Sequence, residues 1–509
     1  MRTQLLPLHA VVLLLGWNLF CGEARAADAR PNILLAISDD QSWVHAGAYG
    51  CPGLETPAFD RVAREGLLFT NAFSAAPMCT VSRACLLTGR NSWQNREAGT
   101  HWSVFPRNLA VYPYLLQAAG YEIGYTGKGW SPGEWEPTGW PTNPAGPEFN
   151  EAKCRPPTTG INNKDYAANF RDFLQRRDAA KPFCFWYGAY EPHAPLEEGS
   201  GVRLGKNPDE IQLPPFLEDT PENRGKLADM FAEIEWFDRH LGQMLDALAE
   251  RNELDNTLIV VTGDNGSSIA HAKGNLYEYG VHVPMAAMWP AKIAAGRKVD
   301  DLVSFIDLAP TFLEAAGLAT HPEMAGRSLM AILTSKQNGR IEPDRDAVLL
   351  GQERGSHVRY DNLGYPMRAI RTDRFLYIMN LKPDRWPTGD PAYLMRGKPN
   401  VSAADIREED LSPDARKRPA DELFDVRHDP ACLHNLAGDA EYEKARSELH
   451  DRLTEVLVRQ GDPRFHGYGD VWESYPRFGV MRPELGGFAE RGRYNPKYQV
   501  EPPEGAKRQ

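Results

Sequence analysis

The chain has 509 residues, of which 42% are hydrophobic and 25% are charged, the balance of an ordinary globular protein. This length favours two domains over one. The formal charge of −12 argues against a generally basic, nucleic-acid-binding surface. An anionic ligand would therefore need a local cluster of arginine and lysine.

The N-terminus has the pattern of a secretory signal peptide. Arg2 supplies a positive charge, residues 5–20 are mostly apolar, and residues 24–26 (Ala-Arg-Ala) offer a cleavage site. A membrane anchor is less favoured, because the apolar run is short and contains polar residues. We expect residues 1–26 to be removed on export to the periplasm, the extracellular space or a lysosome-type lumen, with no membrane association afterwards.

Short apolar runs alternate with helical segments through the first two thirds of the chain. This alternation predicts an α/β fold with a mostly parallel central sheet in a catalytic domain over residues 27–345. The predicted strands are residues 32–37, 121–126, 183–187 and 257–262, and the predicted helices are residues 57–65 and 222–250.

After about residue 345 the pattern changes to antiparallel strands, at 348–350 and within 367–379, followed by a helix over 442–460. We expect a smaller C-terminal α+β domain with an antiparallel sheet over residues 346–461. Residues 462–509, rich in proline, glycine and aromatics, are expected to form an irregular arm.

Two pairs of residues with side-chain oxygens follow two of the predicted strands, namely Asp39 with Asp40 and Asp264 with the amide Asn265. We call them the acidic pairs. In a parallel sheet, ligands bind beyond the carboxyl ends of the strands. Hard oxygen donors suit Ca²⁺ or Mg²⁺ better than zinc. Either pair alone would more simply be a turn at a strand end, but both pairs together with Cys79 favour a metal site, and we favour Ca²⁺.

Residues 79–83 (CTVSR), continued by LLTGR at 86–90, place a cysteine four residues before an arginine at an expected loop-to-helix junction. A helix N-terminus favours an anionic reactant. With the acidic pairs, this motif resembles that of the formylglycine-dependent sulfatases. Residues 275–278 (NLYE) look closest to the heparan N-sulfatase (sulfamidase) branch. The resemblance implies an alkaline-phosphatase-like fold and the removal of N- or O-sulfate from a sulfated saccharide.

The resemblance also implies roles for individual residues. Cys79 would be oxidised to formylglycine by a formylglycine-generating maturation enzyme, and its hydrate would attack sulfur. Arg83 would stabilise the hydrate, and His193 would protonate the leaving group. Lys128 and Lys273 would hold the sulfate oxygens. The implied ligands of one Ca²⁺ are Asp39, Asp40, Cys79, Asp264 and Asn265.

Two positions depart from the family pattern. Val81 stands where the family has proline or sometimes alanine, and Trp130 stands where many members have a histidine. We expect His101 to substitute for that histidine, with a core or surface histidine as the equal alternative.

Other interpretations remain open on the sequence. They are an O-sulfatase, a phosphonate or phosphate hydrolase of the same superfold, and a glycan-binding pseudo-sulfatase whose Cys79 stays a thiol. The basic concentration at Arg368, Arg371, Arg374 and Arg385 would either contact a uronate or second sulfate, or form a solvated hairpin face. The oligomeric state is open, with a homodimer among the options.

Seven cysteines occur, at 21, 51, 79, 85, 154, 184 and 432. Cys21 belongs to the signal and Cys79 is reserved for chemistry, so at most two disulfides can form. We expect Cys154 and Cys184 to form one of them.

Overall fold

A computed structural model describes residues 30–395 and 407–500, so the predicted signal peptide lies outside the described residues. The strands are β1 Asn32–Ser38, β2 Leu67–Phe69, β3 Ala72–Phe73, β4 Glu122–Gly127, β5 Phe183–Gly188, β6 Thr257–Gly263, β7 Met285–Met288, β8 Arg297–Val299, β9 Val303–Ser304, β10 Ala347–Gln352, β11 Met367–Thr372, β12 Phe375–Asn380 and β13 Asp421–Asp425. The helices are α1 Pro57–Glu65, α2 Cys79–Thr88, α3 Tyr112–Ala118, α4 Tyr166–Arg176, α5 Ser200–Arg203, α6 Pro221–Glu250, α7 Glu278–Val281, α8 Leu308–Ala315, α9 Met330–Thr334, α10 Pro391–Leu394, α11 Glu443–Arg459 and α12 Val471–Ser474.

The central sheet has seven strands in the order β4-β5-β1-β6-β7-β2-β8. Strands β4, β5, β1 and β6 are mutually parallel, β7 runs antiparallel to β6 and β2, and β8 is parallel to β2. The mostly parallel sheet expected from the apolar runs is confirmed. Each predicted strand and helix of this region lies within one or two residues of an observed one.

Helices cover both faces of the central sheet. Along β1, Leu34 and Ala36 pack with α1, α4 and α6, whereas Ile33, Leu35 and Ile37 pack with α2, α3 and α8. A strand whose side chains alternate between two buried faces must be apolar throughout. This requirement explains why the strands appear in the sequence as continuous apolar runs.

The second sheet is antiparallel, in the order β10-β11-β12-β13, as expected. Leu449, Leu453 and Leu457 of α11 pack on one face of it. The other face packs against residues around α7. An ion pair reinforces this contact: Arg371 of β11 donates to Glu278 of α7 at 2.9 Å.

The C-terminal arm, meaning residues 462–500 here, has only short helical turns and α12. Its Trp472 packs so closely on Gly99 that a Cβ there would lie 2.8 Å from the indole ring. The backbone N–H of Phe478 donates to the carbonyl of Trp102 at 2.7 Å. The arm is therefore packed against the segment around residues 99–102.

The expected Cys154–Cys184 disulfide is wrong, since all six cysteines of the described residues are free. Cys184 is buried among the side chains on the α3 side of the central sheet. Cys154 lies beside Trp236 and His240 of α6, which covers the opposite face. The sheet itself separates the two sulfur atoms. None of the described helices has the length and apolarity needed to cross a bilayer.

The four arginines considered as a basic surface each pair with a carboxylate. Arg368 donates to Asp462 and Glu353, Arg371 to Glu278, Arg374 to Asp425 and Arg385 to Glu473, at 2.6–2.9 Å. These partners come from distant parts of the chain. Each of the four charges is therefore offset by a carboxylate of the protein itself.

Glu278 anchors the contact between the two sheets. Its carboxylate is 2% exposed and accepts from Arg371, and His282 lies 3.1 Å away. Burial alone would raise the pKa of Glu278, but Arg371 and His282 hold it at about 2.

Replacing Arg371 with glutamine should lower the free energy of unfolding near neutral pH by roughly 3 kcal/mol, because Glu278 loses its cation while it stays buried. The Glu278 pKa is depressed by folding, so its contribution is complete above the unfolded-state pKa of about 4.3 and is lost as the pH falls toward about 2. Urea unfolding should show the gap between wild type and variant narrowing below about pH 4. The matched control is Arg374→Gln, because Arg374 is half exposed and its buried partner Asp425 keeps His428 at 3.0 Å. This variant should cost less than about 1 kcal/mol; equal losses in the two variants would contradict this explanation.

Candidate active site

The register of two central strands brings the acidic pairs together. Strands β1 and β6 are parallel with Ser38 opposite Gly263, so Asp39 and Asp264 leave the sheet side by side. Asp40 then adopts a left-handed backbone with φ of 71°, and its N–H donates to Asp264 Oδ1 at 3.0 Å. A non-glycine residue in this conformation is uncommon and costs free energy, which is typical of functional sites.

Cys79 is the first residue of α2 and is 1% exposed. Every residue of this helix is buried. The Cys79 sulfur and one carboxylate oxygen each of Asp39, Asp40 and Asp264 all lie within 4.8 Å of one another. The structure therefore gathers four of the five residues assigned to the metal around the N-terminus of α2.

Three cations face the three carboxylates of this group. Arg83 Nε donates to Asp264 Oδ2 at 2.9 Å, Lys128 pairs with Asp39, and Lys273 Nζ donates to Asp40 Oδ2 at 2.6 Å. Lys273 Nζ also lies 3.5 Å from the Cys79 sulfur. Each lysine assigned to sulfate binding thus contacts one carboxylate of this group, and Lys273 also lies next to residue 79.

Arg83 is held by a hydrogen bond to a backbone carbonyl as well as by its ion pair with Asp264. It is fully buried, and its Nη1 donates to the carbonyl of Lys128 at 2.7 Å. Gly188, at the end of β5, makes room for this contact, because a Cβ there would lie 2.0 Å from the Lys128 carbonyl and 3.0 Å from Arg83 Nη1. Gly188 was not expected from the sequence, in which nothing distinguishes it from other strand-end glycines.

The charges of the site shift its ionisation equilibria. Burial and the negative charge of Asp39 raise the pKa of the Cys79 thiol to about 12. Burial would raise the pKa of Asp39, yet Lys128 beside it gives a net lowering. An unmodified Cys79 would thus be a neutral thiol, which is a poor nucleophile compared with a thiolate.

Two buried oxygen atoms of the site have no hydrogen-bond donor among the described residues, namely Asp39 Oδ1 and Asn265 Oδ1. The amide of Asn265 is oriented by its Nδ2, which donates to Asp40 Oδ1 at 2.7 Å. Buried oxygens without partners are costly unless something binds them. Orphaned oxygens beside three carboxylates fit a hard divalent cation such as Ca²⁺.

The two candidate histidines lie at different depths. His193 is 42% exposed at its side chain, with Nε2 3.9 Å from Asp40 Oδ2. His101 is buried, and its Nδ1 has no partner among the described residues. Burial and the charges of Arg477, Lys273, Lys128 and His193 lower the pKa of His101 well below its usual value. His101 therefore lies in the electrostatic neighbourhood of the site as a neutral side chain.

Trp130 contacts helix α2 instead of the acidic group. Its indole N–H donates to the carbonyl of Thr80 at 2.9 Å, and the ring is almost fully buried against Phe105. A residue not expected from the sequence, Ser268, donates to Asp40 Oδ2. The only feature of the sequence that marks Ser268 is its position four residues after Asp264.

The mostly parallel central sheet and the separate antiparallel sheet define the alkaline-phosphatase-like fold that the motifs implied. The chain belongs to the sulfatase family, whose model matches residues 31–318. The model named N-sulphoglucosamine sulphohydrolase, C-terminal, matches residues 268–386. Sulfatases are hydrolases of sulfuric esters and sulfamates, so the chain is an enzyme of this kind.

Similar proteins include two human enzymes and a bacterial one. N-sulphoglucosamine sulphohydrolase of Homo sapiens is 28% identical over 484 residues, covering 86% of this chain and 91% of the relative. N-acetylgalactosamine-6-sulfatase of Homo sapiens is 32% identical, covering 62% of this chain and 68% of the relative. An ulvan-active sulfatase of Formosa agariphila is 28% identical, covering 86% and 82%.

Solved structures share the fold at lower identity. A protein in complex with its substrate D-glucosamine-2-N,6-O-disulfate has a TM-score of 0.63 and 22% identity, with 85% of this chain and 98% of that chain covered. A phosphonate monoester hydrolase from Silicibacter pomeroyi also has a TM-score of 0.63, at 18% identity, with 85% and 96% covered. The fold alone therefore does not distinguish sulfur from phosphorus substrates.

Proposed function

We propose that this protein is an exported sulfatase that removes N-sulfate or O-sulfate from a sulfated glycan, with formylglycine at position 79 and one bound Ca²⁺. The observation that carries the proposal is the position of Cys79. It lies among three carboxylates with orphaned oxygens nearby, while Lys273 faces both its sulfur and Asp40. N-Sulfated glucosamine is the first substrate to test, because the C-terminal match and a full-length relative both carry that name.

The cofactors would be held by residues already described. Asp39, Asp40, Asp264 and Asn265 would bind the metal together with the oxidised side chain of residue 79. When bound, the metal would polarise the reacting oxygens, and the hydrated aldehyde at residue 79 would supply the attacking oxygen.

The protein's own side chains would then act on the sulfate group. The ammonium groups of Lys128 and Lys273 would orient its oxygens and offset their charge. Arg83, fixed by Asp264 and the Lys128 carbonyl, would keep a positive charge one helical turn beyond residue 79. His193 is the exposed member of the site and would give its proton to the departing nitrogen or oxygen of the sugar.

The peptide from Glu65 to Arg83, released by trypsin, should carry the mass of an aldehyde in place of a thiol when the protein is produced with a formylglycine-generating enzyme. Cys79→Ala should then abolish sulfate release. Cys85→Ala is the matched control, because Cys85 is buried on the same helix and does not belong to the carboxylate group. An unmodified thiol would favour the pseudo-sulfatase, with Val81 as the reason that maturation fails.

Replacing His193 with alanine should reduce kcat for a sulfamate by about 10²-fold or more. It should change kcat for an activated aryl sulfate little. The reason is that a poor leaving group needs the proton, whereas a nitrophenolate leaves without one. Comparing kcat for the two substrates measures this difference. Equal losses on both would argue against proton donation by His193.

Adding Ca²⁺ to chelator-treated protein should raise its melting temperature, since a ligand at a hundredfold excess over its Kd adds about 2.7 kcal/mol to stability. Asn265→Ala should diminish this rise, because the variant loses a buried orphaned oxygen. Asn71→Ala, at a partly exposed loop position, is the control and should keep the full rise. An undiminished rise in Asn265→Ala would exclude this residue from the site, and a larger rise with Mg²⁺ would reassign the metal.

A further inference from the structure

A second group of cationic side chains lies where the C-terminal arm meets the segment around His101. It consists of Arg354, His357, Arg477 and Arg482, and we call it the arm cluster. Arg354 is 1% exposed and Arg477 is 3% exposed. Arg482 is half-buried, and its guanidinium lies 5.0 Å from the ring centre of Tyr393.

The arginines of the arm cluster donate only to backbone carbonyls. Arg354 donates to Tyr475 at 2.8 Å and Pro476 at 3.0 Å, and Arg482 donates to His357 at 2.7 Å. Arg477 donates to the carbonyls of His101 and Gly355. No carboxylate of the described residues pairs with any of the three.

Several polar atoms of the arm cluster are also buried without a partner among the described residues. They are Nε of Arg354, Nε of Arg477 and Nε2 of His357. The backbone N–H of Arg482 donates to His357 Nδ1 at 2.9 Å, so a neutral His357 carries its proton on Nε2. The arm cluster therefore has N–H groups that lack an acceptor.

Three of the surrounding carboxylates are already paired with other arginines, and the remaining one that acts on His357 is the single, exposed Glu484. Glu353 pairs with Arg368 and Arg464, Asp462 with Arg368, and Glu473 with Arg385 and Arg464. The positive charge of the arm cluster is therefore in excess. Burial and the neighbouring arginines lower the pKa of Arg477 to about 9, and burial lowers that of Arg354 to about 10.

The arm cluster adjoins the active site. The carbonyl that accepts from Arg477 belongs to His101, and the N–H of His101 donates to the Arg354 carbonyl at 3.0 Å. The charges that act on His101 include Lys128, Lys273 and His193 as well as Arg477. On the other side, a Cβ at Gly355 would lie 3.8 Å from Cε of Met78, the residue before Cys79.

We propose that the arm cluster binds a second anionic group of the substrate, a carboxylate or sulfate on the sugar that loses its sulfate or on the neighbouring sugar. A buried excess of guanidinium charge beside a site for anions is stabilised by an oxyanion that accepts from several N–H groups at once. This inference rests on the proposed function and narrows its substrate class to saccharides with at least two anionic groups.

The test compares two substrate pairs, each differing by one anionic group. The first pair is N-sulfoglucosamine with and without 6-O-sulfate, and the second is an N-sulfated disaccharide with its uronate intact or reduced to an alcohol. Wild type should prefer the more anionic member of at least one pair by about tenfold or more in kcat/KM, mainly through KM. The pair that shows the preference identifies the group as sulfate or carboxylate.

Arg477→Gln and Arg482→Gln should each remove most of this preference, and Arg477→Lys should keep part of it, because it retains the charge but loses the fork of donors. Arg482 is the second variant because it is half-buried, so its loss disturbs packing less. Arg491→Gln is the matched control, since Arg491 lies exposed on the same arm and donates to the carbonyl of Phe478. It should keep the full preference.

The proposal is overturned if wild type shows no preference in either pair, or if both glutamine variants keep it. If wild type hydrolyses no saccharide, the proposed function fails. Calorimetric titration of the same saccharides into the Cys79→Ala protein then tests whether the arm cluster binds the second anionic group. Tighter binding of the more anionic member, lost in Cys79→Ala/Arg482→Gln, would support it, and equal binding of both members would overturn it.

Discussion

The parallel pairing of β1 with β6 is the constraint on which the site depends. Because Ser38 lies opposite Gly263, the chain delivers Asp39 and Asp264 to one point at the edge of the sheet. A slip of one residue would turn the acidic side chains to opposite faces. Leu34 and Ala36 of β1 fit one packed core and Ile33, Leu35 and Ile37 fit the other, so a slip would exchange side chains of different size between two close-packed cores. The packing of the core thus determines the geometry of the carboxylates.

The site and the arm cluster have opposite electrostatic character. At the site, three carboxylates meet Arg83, Lys128 and Lys273, and buried oxygens remain without donors. At the arm cluster, arginines lack carboxylates and buried N–H groups remain without acceptors. Incomplete pairing of this kind destabilises a protein by itself, and these two adjoining places are where we propose binding partners of opposite charge.

Features that depend on local pattern could be predicted from the sequence. Buried strands and the amphipathic helix α6 follow from periodicity, and the acidic pairs follow from their position after strands. Features that depend on the sheet face a side chain occupies, or on the residue it pairs with, could not be predicted from the sequence. Cys154 and Cys184 lie on opposite sides of a sheet whose strand order the sequence does not state. The charge of Arg368 is cancelled by Glu353 and Asp462, one of them 94 residues away. Arg354 and Arg477, which keep their charge uncompensated, looked like ordinary arginines.

The packing of the arm on residues 99–102 has a consequence for the order of assembly. Trp472 covers Gly99, and Phe478 is hydrogen-bonded to Trp102 beside His101, yet these arm residues follow every strand of both sheets in the chain. The strands of both sheets come from residues before the arm, whereas the surroundings of His101 are complete only when the arm has docked. A chain that stopped before Arg477 would keep the residues of the carboxylate site and lose Arg477 and Arg482. With the arm cluster in its proposed role, such a truncation would change which molecules the protein accepts while leaving the carboxylates and Cys79 in the chain.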